Sequence, residues 1–337
     1  GVDQAVAGEA AHAVEDLAIE DGLIRGKDNR SVSYRELIAG ETIQLELADD
    51  VPLKFADAYT IVGRSVPRVD LPAKATGELV YVHDMRVPGM LHGRVVRPPY
   101  AGVDVGDFIG NSLIAVDEVS VRDIPGLVAV VRIGDFVGVV AEREENAIKA
   151  AAQRKVSWKP VPTLPDLKDI ETALRANPSV PRTLIDKGNV DAAIAGAAKP
   201  MPRTYIWPYQ MHASIGPSCA VADYQDDNTR VWSGTQNPHH LRAELARLIH
   251  RREAEIEVIR LEAAGCYGRN CADDVSADAV LLSRAVGRPV RVQLTREQEH
   301  AWEPKGTAQL MDVDGGLNAD GSVAGYDFAT RYPSNGA

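Results

Sequence analysis

The sequence predicts a mixed α+β fold, on three observations. Residues 79–158 hold short β-branched runs separated by Pro/Gly turns. An alanine-rich stretch with helical spacing, Glu144–Ala152, feeds the strand-like Lys155–Trp158. Two consecutive strand–loop–helix patterns then follow, Thr229–Trp232 into a helix carrying Leu241, and Ile256–Leu261 into Ala272–Val286. Such repeats favour right-handed crossovers within one sheet.

Taken in order, residues 4–19 are rich in Ala, Val and Glu at helical spacing, and Asp21-Gly22 ends that run. Leu23-Ile24 and Ser31–Tyr34 read as short strands around the polar turn Gly26–Arg30, with Tyr34–Ala39 a helical turn. Thr42–Leu47 alternates like a half-buried strand, and Asp49–Ala58 looks like a linker. A second region opens at Thr60–Gly63. Its expected strands are Leu79–Val82, Met90–Val96, Leu113–Val121, Leu127–Ile133 and Phe136–Ala141. Three prolines between Pro160 and Asp166 mark a boundary. In the third region Asn237 is a good N-cap and Pro238 fits the first helical position. Leu241, Leu245, Leu248 and Ile249 fall on one helical face, as do Val275, Ala279, Leu282 and Val286 in the next helix. Val290–Leu294 is the following strand. The expected organisation is a leading segment (1–58), an α+β domain (59–165), a linker (166–202) and a third region (203–337).

The chain has 337 residues, 45% of them hydrophobic, enough for two domains with sizeable cores. A formal charge of −11 argues against a general nucleic-acid surface. No apolar run approaches the roughly 18 residues that would span a membrane, and no signal peptide is visible. Cys219, Cys266 and Cys271 are too few for a disulfide scaffold or an iron–sulfur cluster, and Cys266 and Cys271 have no second ligand pair for zinc. The compartment stays open. The first residue, Gly1, and the ending Ser334–Ala337 read as the limits of a processed or partial piece.

Residues 262–274, Glu-Ala-Ala-Gly-Cys-Tyr-Gly-Arg-Asn-Cys-Ala-Asp-Asp, join the second strand to its helix. A P-loop would end in Gly-Lys-Ser/Thr, and here Arg269 and Asn270 follow Gly268. A dinucleotide fingerprint needs three glycines at fixed offsets, and only Gly265 and Gly268 are present. Two readings remain. Small residues let backbone N–H groups approach an anion or a large cofactor at a helix N-terminus, or they merely allow tight packing. Crossover topology puts this loop and Gln236 at the same carboxyl edge of the sheet, where open sheets bind ligands.

Ala264-Gly-Cys-Tyr-Gly268 resembles the Gly-Gly-Gly-Phe-Gly loop of the molybdopterin-binding subunits of the xanthine dehydrogenase and aldehyde oxidase family. It looks most like the bacterial branch of nicotinate dehydrogenase and isoquinoline 1-oxidoreductase. Thr235-Gln236 matches the family's Thr-Gln. Tyr209–Pro217 resembles its His-Ala-x-x-Glu-Pro segment, with Gly216 where relatives have glutamate. Gly63–Gly77, Tyr81–Asp84, Gly89–Pro98 and Pro125–Val131 look like the family's α/β hammerhead domain. The implied fold is therefore a hammerhead domain followed by the first part of the molybdopterin-binding domain.

The resemblance implies hydroxylation of an aldehyde or N-heteroaromatic substrate with water as oxygen source. The cofactor implied is molybdopterin cytosine dinucleotide with molybdenum. Implied partners are the rest of the large subunit, a small iron–sulfur subunit and a cytochrome c. Gln236 would donate its amide to an oxo ligand, and Tyr267 would wall the substrate side. Gly265, Cys266, Tyr267, Gly268 and Arg269 would contact the cofactor, through backbone N–H groups at the glycines. Cys266 is expected to fill space. Arg269 has two candidate partners, a phosphate of the nucleotide tail and, favoured, Asp273 or Asp274. His212 is expected to be structural, His239-His240 solvated, and Lys74 and Arg68 engaged in interdomain ion pairs. The family's general base is a glutamate in a late Gly-x-Gly-Glu-like segment with no counterpart after position 270, so the chain alone would be catalytically incomplete. The competing reading is an assembly or scaffold piece that does not retain molybdenum. The replaced glycines favour that alternative, and the retained Gln236 loop speaks against it.

Overall fold

A computed structural model describes residues 13, 16–27, 30–40, 53–98, 112–160, 166–269 and 273–332. The chain divides into two compact units, Gly1–Val69 and Asp70–Ala337. In the first, β1 (Ala18–Glu20), β2 (Leu23–Arg25) and β3 (Ser31–Ser33) form an antiparallel meander. Asp21 and Gly22 both take positive φ, 49° and 78°, as a two-residue hairpin turn requires. That turn draws Ala18–Glu20 into a strand, where helical spacing had suggested helix to residue 19. Ser33 and Glu36 form a reciprocal capping box on α1 (Tyr34–Leu37). The expected strand Thr42–Leu47 lies outside the described residues, as does most of the expected helix 4–19.

The second unit begins with α2 (Leu71–Thr76) and continues through β4 (Leu91–Val95), β5 (Leu113–Asp117), β6 (Leu127–Ile133), β7 (Phe136–Ala141), α3 (Glu144–Gln153) and β8 (Lys155–Trp158). Next come α4 (Ile170–Ala176), α5 (Val190–Ala195), β9 (Lys199–Pro200), β10 (Arg203–Trp207), β11 (Cys219–Asp223) and β12 (Thr229–Ser233). The remaining elements are α6 (Pro238–Ile249), β13 (Ile256–Arg260), α7 (Asp274–Val286), β14 (Val290–Gln293), α8 (Arg296–Trp302), β15 (Gln309–Leu317) and β16 (Val323–Arg331).

One seven-stranded sheet, ordered β13-β12-β11-β14-β4-β7-β6, organises this unit. It takes strands from both regions that the sequence divided at 165 and 203, joined by the parallel pair β14 and β4. The stretch 166–202, expected as a linker, carries α4 and α5. These cover one face of a second sheet, burying Leu174 and Leu310. Of the expected strands, Leu79–Val82 does not form. Val82 instead starts a 3-10 turn, because its N–H is committed to the Glu262 carbonyl at 2.9 Å. Leu113–Val121 splits after Asp117, whose carboxylate accepts from Val119 and Ser120 N–H and caps a 3-10 turn.

The core lies between this sheet and helices α6 and α7. Leu282 of α7 is fully buried, in space left by two glycines. A Cβ on Gly93 of β4 or Gly138 of β7 would stand 2.6 or 2.7 Å from its methyls. Burying such a leucine contributes roughly 1.5–3 kcal/mol. On α6, Leu241, Leu245, Ala246 and Ile249 are buried while Leu248 is 41% exposed. The buried stripe centres between Leu245 and Ile249, which leaves Leu248 at its margin.

Arg154, directly after α3, is only 6% exposed, and its guanidinium nitrogens have no hydrogen-bond partner among the described residues. Burial lowers its pKa, against the pull of Glu118 and Asp117. An unpaired buried charge is costly. Arg154→Met is therefore expected to stabilise the protein by about 1–3 kcal/mol, read as a higher thermal midpoint. A lower midpoint would mean that the guanidinium has a partner worth keeping.

Candidate functional site

β12 and β13 are parallel neighbours, paired up to Ser233 and Arg260, so the loops that follow them leave from one edge of the sheet. The first loop is tied down from within. The Thr235 hydroxyl, itself buried, donates to the Asp273 carboxylate at 3.1 Å and accepts from Asn237 N–H at 3.1 Å. Ser233 accepts from Thr235 N–H and bonds Ser276 of α7. Asn237 caps α6 by accepting from His240 N–H, as expected. These bonds set the backbone on either side of Gln236. The Gln236 side chain is exposed, and its Nε2 points to the Gly268 carbonyl at 3.4 Å.

The second loop turns on two glycines in the left-handed half of φ, Gly265 at 113° and Gly268 at 109°. That backbone conformation disfavours larger residues at both, and the space beside each is tight. A Cβ on Gly265 would stand 3.3 Å from Ile215 N and from the Tyr267 hydroxyl. One on Gly268 would stand 3.2 Å from the His212 ring. The Gly265 N–H is committed to the Ala263 carbonyl at 2.8 Å, so backbone donation to a ligand falls to the residues after it. Cys266, Tyr267, Gly268 and Arg269 are exposed, Tyr267 by 60%. Asn270, Cys271 and Ala272 lie outside the described residues.

Two further segments back this loop. Gly216 N–H donates to the Ala264 carbonyl at 3.1 Å, and Val82 N–H donates to the Glu262 carbonyl. His83 Nε2 donates to the Pro217 carbonyl at 2.8 Å, while its Nδ1 is buried without a partner among the described residues. Between these segments lies a cavity of about 10 Å³ lined by His83, Ser218, Cys219, Ser233, Thr235 and Asp273, room for about one water. Burial raises the pKa of Asp273, with the Thr235 bond and Arg269 acting the other way. Burial also pushes the Cys219 thiol up to about 11, so that thiol is inert at neutral pH.

The predicted site residues Gln236, Gly265, Cys266, Tyr267, Gly268 and Arg269 thus lie along one edge, with all but Gly265 exposed. Two expectations about individual side chains change. Cys266 does not fill space, since it is exposed. Arg269 forms no ion pair with Asp273 or Asp274 among the described residues, and the Asp273 carboxylate is held by Thr235. Lys74 forms an ion pair with Asp70 at 2.6 Å, four residues before it on one helix face. His212 takes a packing role, with Nδ1 3.1 Å from the Pro304 carbonyl, and His239 and His240 are both exposed. Val82, His83 and Ile215–Pro217 fall in segments that the family resemblance singled out, but no periodicity or spacing placed them against this loop.

The edge suits a ligand larger than an ion. Two glycines leave backbone bare, and among the described residues no group of three or more His, Cys, Asp or Glu could hold a metal by itself.

Comparison with known proteins bears on this edge. A family model for the molybdopterin cofactor-binding domain matches residues 176–335. The chain is 68% identical over 324 residues to a subunit of the nicotinate dehydrogenase of Pseudomonas putida, covering 96% of this chain and 27% of that protein. It is 26% identical to the beta subunit of isoquinoline 1-oxidoreductase from Brevundimonas diminuta, over 74% of this chain and 32% of the relative. Quinoline 2-oxidoreductase from Pseudomonas putida 86 superposes with a TM-score of 0.62 at 21% identity, over 80% of this chain and 39% of that chain. That last likeness concerns the fold alone. The chain spans about a quarter to a third of the length of the two curated relatives.

Proposed function

For a chain that belongs to the molybdopterin-binding large subunits of the xanthine dehydrogenase and aldehyde oxidase family, we propose that residues 233–237 and 262–269 form one wall of the cofactor site of a bacterial molybdenum hydroxylase. The substrate class is an N-heteroaromatic ring or an aldehyde, with the first favoured by the similarity to the nicotinate dehydrogenase of Pseudomonas putida. The observation that carries this reading is the convergence of the two loops, with Gln236 Nε2 directed at the carbonyl of Gly268, one of two positive-φ glycines in the second loop.

When bound, the cofactor supplies hydroxylation of an electron-poor carbon with water as oxygen source. The work of this chain is to hold and orient. The exposed stretch 266–268 offers its backbone N–H groups to cofactor oxygens, and positive φ at the two flanking glycines sets the turn that presents them. The exposed Gln236 amide donates at this edge, where it already points to the Gly268 carbonyl. Tyr267, exposed and against Gly265, closes the substrate side. Arg269, exposed and in no ion pair among the described residues, is placed to meet a phosphate of the nucleotide tail. The finer assignments are a cytosine dinucleotide form of the cofactor, a small iron–sulfur subunit and a cytochrome c as electron partners.

Molybdenum and pterin content of the full-length large subunit, purified from molybdate-fed cells, tests the proposal. About one equivalent of each per chain is expected. A preparation lacking both would sink it and leave the scaffold reading. Gln236→Ala is expected to lower the content severalfold while leaving thermal unfolding of the cofactor-free protein in place, since its side chain is exposed.

A further inference from the structure

Behind the glycine loop runs an irregular segment, 211–218, whose backbone polar groups have no strand or helix to satisfy them. It contains Ala213 at φ 55°, a conformation that costs an alanine about a kilocalorie and persists only where surroundings enforce it. The enforcement comes from α8 and the residue that follows it. Glu303, 3% exposed, accepts from the N–H groups of His212, at 2.5 Å, and Ala213, at 3.4 Å. Glu299, one turn earlier and fully buried, accepts from Ser218 N–H at 2.9 Å and from its hydroxyl at 3.1 Å. Arg296 at the start of the helix donates to the carbonyls of Ser214, at 2.8 Å, and Ile215, at 2.7 Å. One short helix thus meets the segment at six points, using two carboxylates for N–H and O–H groups and one guanidinium for carbonyls. Bonds to ionised groups are the stronger kind, and buried carboxylates are tolerated only when so satisfied.

The far side of the same segment faces the loop. His212 closes over Gly268, Ile215 N lies against Gly265, and Gly216 bonds Ala264. We propose that α8 is the positioning element of the site, with Arg296, Glu299 and Glu303 as positioning residues that set both glycines through segment 211–218. This rests on the reading given under Proposed function for what the loop binds. The clamp itself does not depend on it.

Hydrogen exchange on the full-length large subunit, purified cofactor-free from molybdate-starved cells, tests the clamp without any use of activity. In Glu303→Ala, peptides covering 211–218 and 262–269 are expected to exchange about tenfold faster, the response to losing roughly 1.4 kcal/mol of local stability. Peptides confined to strands β11, β12 and β14 should be unchanged. Glu303→Gln, which keeps one acceptor oxygen, should recover part of the protection. In molybdate-fed cells, Glu303→Ala should also lower molybdenum per chain severalfold. Faster exchange at 211–218 with no change at 262–269 would overturn the proposal. So would uniform acceleration across all peptides in both Glu303→Ala and Arg296→Lys, which would make α8 a general brace of the fold. A wild-type protein without molybdenum that keeps the localised exchange response would refute the cofactor reading and leave the clamp standing.

Discussion

Gly216→Ala is expected to lower stability by about 1–3 kcal/mol and to strip the site of its cofactor, and Ala264→Gly in the same chain should reverse most of both effects. A Cβ at 216 would lie 2.6 Å from the Ala264 Cβ and 3.2 Å from His83 Nε2. Neither neighbour is a flexible chain end. The backbones at 216 and 264 would have to part by about an ångström to reach ordinary van der Waals separation, breaking the Gly216 N–H bond to the Ala264 carbonyl. Removing the Ala264 methyl relieves the larger clash. The two positions are therefore coupled, by roughly 1–2 kcal/mol in a double-mutant cycle. Thermal unfolding and molybdenum content of the two single variants and the double variant measure this. Additive losses would defeat it.

That pair also joins two departures from the family pattern. By the resemblance, Ala264 stands where the family loop has a glycine, and Gly216 where the family segment has a glutamate. In space they are neighbours, and only one of the two positions can carry a side chain along this contact.

What was legible in the sequence follows from the range of the forces involved. The caps and turns were readable because they are local. Asn237 and Pro238 start α6, and β12, β13 and α7 lie within a residue or two of their expected bounds. The meeting of Gln236 with the glycine loop was also accessible, because parallel crossover topology alone puts both at one sheet edge. The exchange of Leu79–Val82 from strand to 3-10 turn was not, since it depends on Glu262, some 180 residues away. The α8 clamp was equally hidden. Arg296, Glu299 and Glu303 look like ordinary charged helix residues, and only the tertiary fold buries the two glutamates and brings all three against segment 211–218. Asp278 did leave a trace, as a carboxylate lying between Val275, Ala279 and Leu282 on an otherwise apolar stripe.

Asp278→Ala at pH 8 is expected to destabilise the protein by about 3–5 kcal/mol. The carboxylate is 3% exposed and accepts from Arg97 at 2.6 Å, and the guanidinium lies over Trp302 at 4.9 Å. Without Asp278 the guanidinium keeps the Trp302 face and little else, a poor substitute for an anion. The contact gathers the chain after β4, the middle of α7 and the end of α8. It thereby fixes the helix leaving the glycine loop against the one that clamps segment 211–218. Its pH dependence runs opposite to that of an exposed ion pair. Burial, outweighing the attraction of Arg97, pushes the Asp278 pKa up to about 7, above the roughly 3.9 of an unfolded chain. The folded protein therefore holds a proton that the unfolded chain has released, and that contribution is fully present below about pH 4. It is lost as pH rises through 7, so stability should fall across that window. Asp278→Asn, which cannot titrate, should lack this step while still losing the charge partner of Arg97. Denaturant unfolding of both proteins between pH 4 and 8 separates the two effects, and identical pH profiles would place the proton elsewhere.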